Sequence, residues 1–468
     1  MSPFSTKKVK VIATLGPASD SREKILELAQ AGVNVFRINL SHAVKDEILD
    51  RINRVRQAEK ILGQPLAVMG DLVGPKIRIG TVAPGITLEP GKKIKILAKQ
   101  IYGSSDAISL NFPAIIKNLE KGYDIYLGDG EIKLVVIEKT PEGVVTKVIV
   151  GGDLRDRMGF SSQGISMRFP LTEKDENDIK MMADLGADAL AVSFVQSSKN
   201  IEEVRKLLPP RKPLMLIAKI ETLEAVERAE EILEVSDGLM VARGDLGFSV
   251  PLAELPHIQK SLINLCLRKS KPVITATQML ESMINSHIPT RAEVTDVANA
   301  ILDGTDAVML SAETAIGKFP IETVNMMVKI IKEAETKIPK KDFTDSDIIA
   351  DAVSTSAVDI ADRTNSQLII VFSQSGHTAR LISRHRPNQL IITCSPEPAT
   401  IRNLNFTWGV YSHLIKPTKN FDGLLLDARN IAKNNNFLTI KKKENFVICA
   451  GAPFGRSGTT NLVWVNKV

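Results

Sequence analysis

Glu221 and Asp245 each close one of two successive apolar runs, and a carboxylate pair at such ends can hold a hard divalent cation. Mg²⁺, or Mn²⁺ in its place, takes few protein carboxylates and fills its remaining positions with water and substrate oxygens. The blander alternative is that each carboxylate pairs with Lys219 or Arg243 and merely fixes the framework. Lys219 beside a metal would stabilise negative charge developing on a transferring phosphoryl group or an enolate. Arg37 offers a fork of donors suited to phosphate, and Asn39 and Ser41 project the same way from its strand.

Similar polar groups end other apolar runs: Thr14, Asp71, Ser193 with Phe194, Thr277, and Ser311 with Glu313. Charges in apolar strands are rarely tolerated without partners, so a shared polar site is the economical explanation. The six histidines show no HExxH or triad spacing. His257, His287, His385 and His413 read as surface or packing residues, whereas His42 follows Ser41 at a strand end. No Ser/His/Asp or Cys/His hydrolase constellation can be assembled. The chemistry indicated is phosphoryl or enolate chemistry on a metal.

The elements that must position these groups repeat. Four segments, 32–39, 186–194, 237–245 and 304–313, share a small residue, an Asx and an apolar run with a polar end. Stretches with helical periodicity, such as 22–31 and 174–185, precede such segments, as expected for a helix, a tight turn and a buried parallel strand. Four further runs, at 9–15, 66–71, 214–220 and 272–277, bring the count to eight. Alternating strand and helix in eight units predicts α/β architecture closed as a (β/α)₈ TIM barrel, with a doubly wound open sheet as the rival. No GxGxxG opens a helix, which removes the support for dinucleotide binding.

Period-2 stretches at 93–97 and 131–150 interrupt the barrel units. The expected organisation is a barrel from 1–75 and 169–338, with an inserted small β-barrel-like lid domain over 76–168. A C-terminal α/β (parallel-sheet) domain follows over 339–468, with strands at 368–372, 389–393 and 446–450. The net charge of +6 is scattered rather than striped and aromatics are 4%, which argues against a nucleic-acid partner. No membrane span or signal peptide is expected. Cys266, Cys394 and Cys449 lie far apart in apolar runs, as buried free thiols of a cytoplasmic protein would.

Several ordered motifs resemble the pyruvate kinase family, in its K⁺-independent bacterial branch. They are Leu216-Ile-Ala-Lys-Ile-Glu-Thr222, Asp237-Gly-Leu-Met-Val-Ala-Arg-Gly-Asp-Leu-Gly247, Ala276-Thr-Gln-Met-Leu-Glu-Ser-Met283, Pro289-Thr-Arg-Ala-Glu-Val-Thr-Asp-Val-Ala-Asn299 and Met309-Leu-Ser-Ala-Glu-Thr314. The resemblance runs over nearly the whole chain and implies phosphoryl transfer from phosphoenolpyruvate to ADP. By it, Lys219 stabilises the transition state and the enolate, while Glu221 and Asp245 carry Mg²⁺. Backbone amides of Arg243, Gly244 and Asp245, with the Thr277 hydroxyl, bind phosphoenolpyruvate, and Thr277 lies near the protonated carbon. Arg37 contacts the transferring group, and Pro17, His42 and Arg78 lie on the nucleotide side. Phosphoryl transfer needs positioning and charge neutralisation more than covalent help.

Two departures from the family pattern carry expectations. Many members read Asp-Thr-Lys-Gly-Pro-Glu-Ile-Arg-Thr and require K⁺, whereas this chain has Asp71-Leu-Val-Gly-Pro-Lys-Ile-Arg-Ile79. A tethered Lys76 ammonium beside Asn39, Ser41 and Asp71 can supply the charge of the monovalent ion, so K⁺ is expected to be dispensable. The alternative is a solvated lysine that leaves an ion site intact. In the inserted domain Met158 stands where a lysine often reaches the nucleotide phosphates, with Arg155 and Arg157 as candidate substitutes. The C-terminal domain keeps Ser373-Gln-Ser-Gly-His-Thr378, which resembles the family's allosteric loop. Ser373, Ser375, Gly376 and Thr378 form a candidate phosphate cradle, with a plain N-cap turn as the alternative. No second basic site for a bisphosphate is evident, so the expected effector is AMP or a sugar monophosphate. The family implies a homotetramer. A metal-dependent lyase or aldolase of the related barrel superfamily and a degenerate metabolite sensor are the rival readings.

Overall fold

The computed structural model describes residues 7–41, 44–74, 76–128, 130–162, 170–210, 214–341, 343, 348–417, 420–434, 444–453 and 458–467. Eight parallel strands close into a barrel: β1 (Lys10–Leu15), β2 (Val35–Asn39), β3 (Ala67–Asp71), β4 (Ala189–Val192), β5 (Met215–Ile220), β6 (Gly238–Ala242), β7 (Val273–Ala276) and β8 (Ala307–Leu310). Closure is made by β1 against β8, with Lys10 beside Ala307 and Ala13 beside Leu310. That pairing excludes the open sheet. All eight strands coincide with the apolar runs, because a strand buried on both faces needs apolar residues on both.

The Asx at the start of the repeated segments has a structural role. Asn34, Asp188, Asp237 and Asp306 each donate a backbone N–H to the preceding strand, at Val11, Val68, Leu216 and Val273. The side-chain oxygen of each accepts the N–H of that same residue at 2.7–3.1 Å. Each even-numbered strand is thereby pinned in register to the odd-numbered strand before it. Buried N–H groups that the barrel ladder would leave unpaired at its lower rim are satisfied in the same way.

Helices cover the barrel. Arg22–Ala31 begins at Ser21, whose hydroxyl accepts the Lys24 N–H at 3.2 Å. Glu173–Asp184 and Arg291–Asp303 begin with reciprocal boxes, Thr172 with Asp175 and Thr290 with Glu293. Inside the barrel Ile12, Met69, Ile217, Met240 and Ile274 fill the interior, together with Phe406 from the C-terminal part of the chain.

Between β3 and β4 the chain leaves the barrel to form a six-stranded sheet around a separate apolar core. Its central hairpin pairs Ile132–Thr140 with Gly143–Val150. Gly143 is required there, since a Cβ would land on the Ile96 carbonyl of the neighbouring strand. The last part of the chain builds a five-stranded sheet in the order 410–414, 390–395, 368–372, 445–451, 460–467. Four of its strands are parallel, and Thr460–Lys467 runs antiparallel at the edge. Val410–Leu414 and Thr460–Lys467 lie outside the three strands expected from sequence. They are the two edge strands of the sheet. All three cysteines are buried and free. No described helix is long and apolar enough to cross a membrane.

Candidate active site

At the carboxyl end of the barrel Asp71, Ser193 and Glu221 converge on Lys219. Its ammonium lies 2.8 Å from Glu221 Oε1, 3.3 Å from Asp71 Oδ1 and 2.7 Å from Ser193 Oγ. Ser193 Oγ in turn donates to the Leu72 carbonyl at 2.6 Å, so its lone pairs face the ammonium. Arg37 donates through Nε to Asp71 Oδ2 at 2.6 Å and through Nη1 to Thr14 Oγ1 at 3.0 Å. Asn39 Oδ1 accepts the Ser41 N–H at 3.0 Å and shapes the turn beyond β2.

These contacts set the charges. Burial opposes the charge on Lys219, but Asp71, Glu221 and Asp245 together hold its pKa above the ordinary lysine value. Asp71 is also buried, yet Arg37 and Lys219 keep its carboxyl below the usual range. Glu221 is pushed up to about 7 by burial; Lys219 pulls it down and Asp245 adds to the rise. Lys219 and Asp71 are therefore both held in their charged forms. Glu221 Oε2 accepts the Phe194 N–H at 2.6 Å, which aims the carboxylate across the barrel mouth.

Two cavities meet here. The inner one, about 130 Å³, is walled by Arg37, Asn39, Ser41, Asp71, Lys219 and Thr277. The outer one, about 250 Å³, lies between the barrel and the inserted sheet and is walled by Arg78, Phe160, Ser161, Ser162, Thr222 and Phe248. Lys76, Phe194, Glu221 and Asp245 line both. The two carboxylates therefore stand where two occupants would face each other. Two carboxylates with room for water and substrate oxygens is the donor set that Mg²⁺ or Mn²⁺ takes, so the residues fit a divalent ion. Among the described residues no group of three or more His, Cys, Asp or Glu offers a fuller protein cage.

Thr277 is placed by its neighbours. Its hydroxyl donates to the Ala276 carbonyl at 2.6 Å and accepts the Gly244 N–H at 2.9 Å. Thr277 and Gln278 both have left-handed backbones, φ +67° and +52°, a conformation that costs non-glycine residues on the order of 1–2 kcal/mol each. The buried Arg243 guanidinium holds them there. It donates to the Thr277 and Gln278 carbonyls at 2.7 and 3.0 Å and is paired with both oxygens of Asp296 at 2.8 and 2.7 Å.

The family model "Pyruvate kinase, barrel domain" matches residues 6–324, and "Pyruvate kinase, alpha/beta domain" matches residues 351–466. The chain belongs to the pyruvate kinase family. It is 39% identical to the pyruvate kinase of Methylorubrum extorquens over 466 residues, covering 98% of this chain and 97% of that one. The pyruvate kinase of Geobacillus stearothermophilus is 40% identical over 474 residues, 99% of this chain and 80% of the relative. That of Staphylococcus aureus is 38% identical over 473 residues, again 99% and 80%. The chain is accordingly a kinase of this family, whose members generally use a divalent metal.

Of the expected strand-end residues, Ser311 and Glu313 line neither cavity: the buried Glu313 accepts the N–H of Ser311 at 2.7 Å and of Leu280 at 3.2 Å. Arg78 lines the outer cavity while its Nη1 donates to the Arg157 carbonyl at 2.9 Å. Lys76 is exposed and lines both cavities. Pro17 is exposed in the turn after β1 and lines neither cavity. His42 lies outside the described residues. Met158 turns into the core of the inserted sheet, 6% exposed, and its sulfur accepts the Arg155 N–H. Arg155 pairs with Glu131.

In the C-terminal sheet Ser373 Oγ accepts the Gly376 N–H at 3.0 Å, and Thr378 is buried with its hydroxyl bonded to Thr460. Both hydroxyls already have protein partners; Ser375 is exposed. Sequence reasoning missed Asp296 and the aromatic wall of Phe160 and Phe248. Asp296 sits inside a quoted motif, but a lone acid on a helix carries no signal of the arginine it will meet.

Proposed function

We propose that this chain transfers the phosphoryl group of phosphoenolpyruvate to metal-bound ADP, giving pyruvate and ATP. The observation that carries the reading is the shared wall of Glu221 and Asp245 between the two cavities, with Lys219 and Arg37 on the inner side. The inner cavity has the cations and the Thr277 hydroxyl for a small phosphorylated carboxylic acid. The outer cavity has Arg78 and an aromatic wall for a nucleotide. A Mg²⁺ or Mn²⁺ ion held by Glu221 and Asp245 would neutralise phosphate oxygens of both occupants. Lys219 stabilises the charge that shifts to the enolate oxygen as the phosphorus–oxygen bond breaks. Arg37 orients the group in transit, and the ADP terminal oxygen forms the new bond. The enolate then takes a proton on carbon beside Thr277, and pyruvate leaves as the ketone.

Lys76 lines the same cavity as Asn39, Ser41 and Asp71, which supports its ammonium replacing a monovalent cation. The inserted residues 76–168 act as a lid over the barrel of 1–75 and 169–338. Residues 339–468 carry a regulatory site for AMP or a sugar monophosphate around Ser373, Ser375, Gly376 and Thr378. The protein works as a cytoplasmic homotetramer. The deciding measurement is pyruvate formation from phosphoenolpyruvate and ADP with Mg²⁺ in K⁺-free buffer. Full turnover that K⁺ does not raise is expected, together with acquired K⁺ dependence in Lys76→Glu. Turnover only with K⁺ would discard the role of Lys76, and no pyruvate under either condition would discard the reaction.

A further inference from the structure

The seam between the barrel and the C-terminal sheet carries more positive charge than it neutralises. A small cavity there is lined on the barrel side by Ser270, Lys271 and Asp306, and on the other side by Arg380, Arg384, Arg386 and Thr407. Of the four cations, Arg386 pairs with Asp306 at 3.2 Å and Arg384 with Asp351. The other two have carbonyl partners only. Lys271 donates to the carbonyls of Leu233, Glu234 and Ser236 at 2.6–3.0 Å, and Arg380 donates to that of Ser375 at 3.3 Å. Neither makes an ion pair among the described residues.

Three buried donors on the lining residues have no partner among the described residues: Arg384 Nε, Arg386 Nε and the Thr407 hydroxyl. These residues are 6%, 2% and 2% exposed. Burial lowers the pKa of Arg380 and of Arg386, and Asp237 and Asp306 respectively offset this only in part. Charges out of water are ordinarily paired, because an uncompensated one costs several kcal/mol.

We propose that this seam binds a single monatomic inorganic anion, of halide size and charge, between Arg380, Arg384, Arg386 and Thr407. A water could satisfy the orphan donors, whereas an anion would also balance the unpaired charges of Lys271 and Arg380, which are half-buried. Size selects among anions. The space is about 10 Å³, room for one water-sized body and too little for a phosphate ester. The anion would neutralise groups contributed by both the barrel and the C-terminal sheet, and so would stabilise their contact.

Thermal unfolding of the whole protein in potassium chloride against potassium gluconate, at equal ionic strength, tests this. Binding to the folded form alone predicts a saturable rise of roughly 2 °C or more in chloride. The rise should vanish in the double variant Arg380→Met, Thr407→Val. Equal midpoints in the two salts would overturn the proposal, as would a rise that survives in the variant. Should the variant not fold, crystals of the unaltered protein soaked in bromide decide. An anomalous peak within about 3.5 Å of Arg386 Nε and the Thr407 hydroxyl supports the site, and a water there without such a peak overturns it.

Discussion

Lys219 owes its position to a hydroxyl as much as to carboxylates. Ser193 donates its proton to the Leu72 carbonyl, which leaves it an acceptor for the ammonium at 2.7 Å. Removing an acceptor of a charged group costs about 1.5–3 kcal/mol, so Ser193→Ala should lower kcat by roughly ten- to a hundredfold. The KM for phosphoenolpyruvate should change little, because Arg37 and Thr277 remain; steady-state kinetics separates the two. Lys219→Met removes the charge itself. A loss on the order of 10³-fold in pyruvate formation is expected, by analogy with deleting one donor to a developing oxyanion. Binding of Mn²⁺, followed by electron paramagnetic resonance, should survive in that variant. Unchanged turnover would remove Lys219 from the chemistry.

Helix and strand boundaries in this chain are set by a few polar side chains, and those were the legible ones. The repeated Asx before an apolar run is visible in sequence because Asn34, Asp188, Asp237 and Asp306 each do the same job, pinning one strand to its predecessor. The strand-end polar residues were legible for a related reason, since charge in an apolar run needs a purpose. What stayed hidden depends on contacts distant in sequence: the Arg243–Asp296 pair, the inward turn of Met158, and edge strand Thr460–Lys467. Thr290 caps the helix Arg291–Asp303, and Glu293 bonds both Thr290 and Ser282. Thr290→Ala should cost about 1 kcal/mol in urea denaturation, the usual value of a lost N-cap. Asp296 lies on the same helix, so fraying from its start should also loosen Thr277.

Across the whole molecule, the junction of barrel and C-terminal sheet is built around lysines that look like an ordinary solvated terminus in the sequence. Lys7 and Lys10 are 2% and 1% exposed. Lys10 donates to the Val410 carbonyl and lies 4.4 Å from the centre of the Tyr411 ring. Burial lowers the Lys10 pKa to about 7, despite Glu335 and Asp306, and lowers that of Lys8 to about 8. A lysine depressed in the folded state binds fewer protons there than in the unfolded chain. Stability from these groups therefore rises as pH climbs from about 7 towards 10, and is absent below the folded values. Urea midpoints measured from pH 6.5 to 9 should increase with pH, and Lys10→Met should flatten that slope. A midpoint indifferent to pH in the unaltered protein would mean that the junction is wet.

Trp408 is one of only two tryptophans in the chain. It is 2% exposed, flanked by Lys8 and Arg386 at 4.9 Å each, and its indole N–H is buried without a partner among the described residues. The other, Trp464, stacks on Phe421 at 4.8 Å in the C-terminal sheet. With Trp464 replaced by phenylalanine, the emission of the remaining indole becomes an optical gauge of domain docking. Blue-shifted light would signal a closed junction, and a red shift on adding denaturant or a candidate regulator would time its opening separately from any change in catalysis.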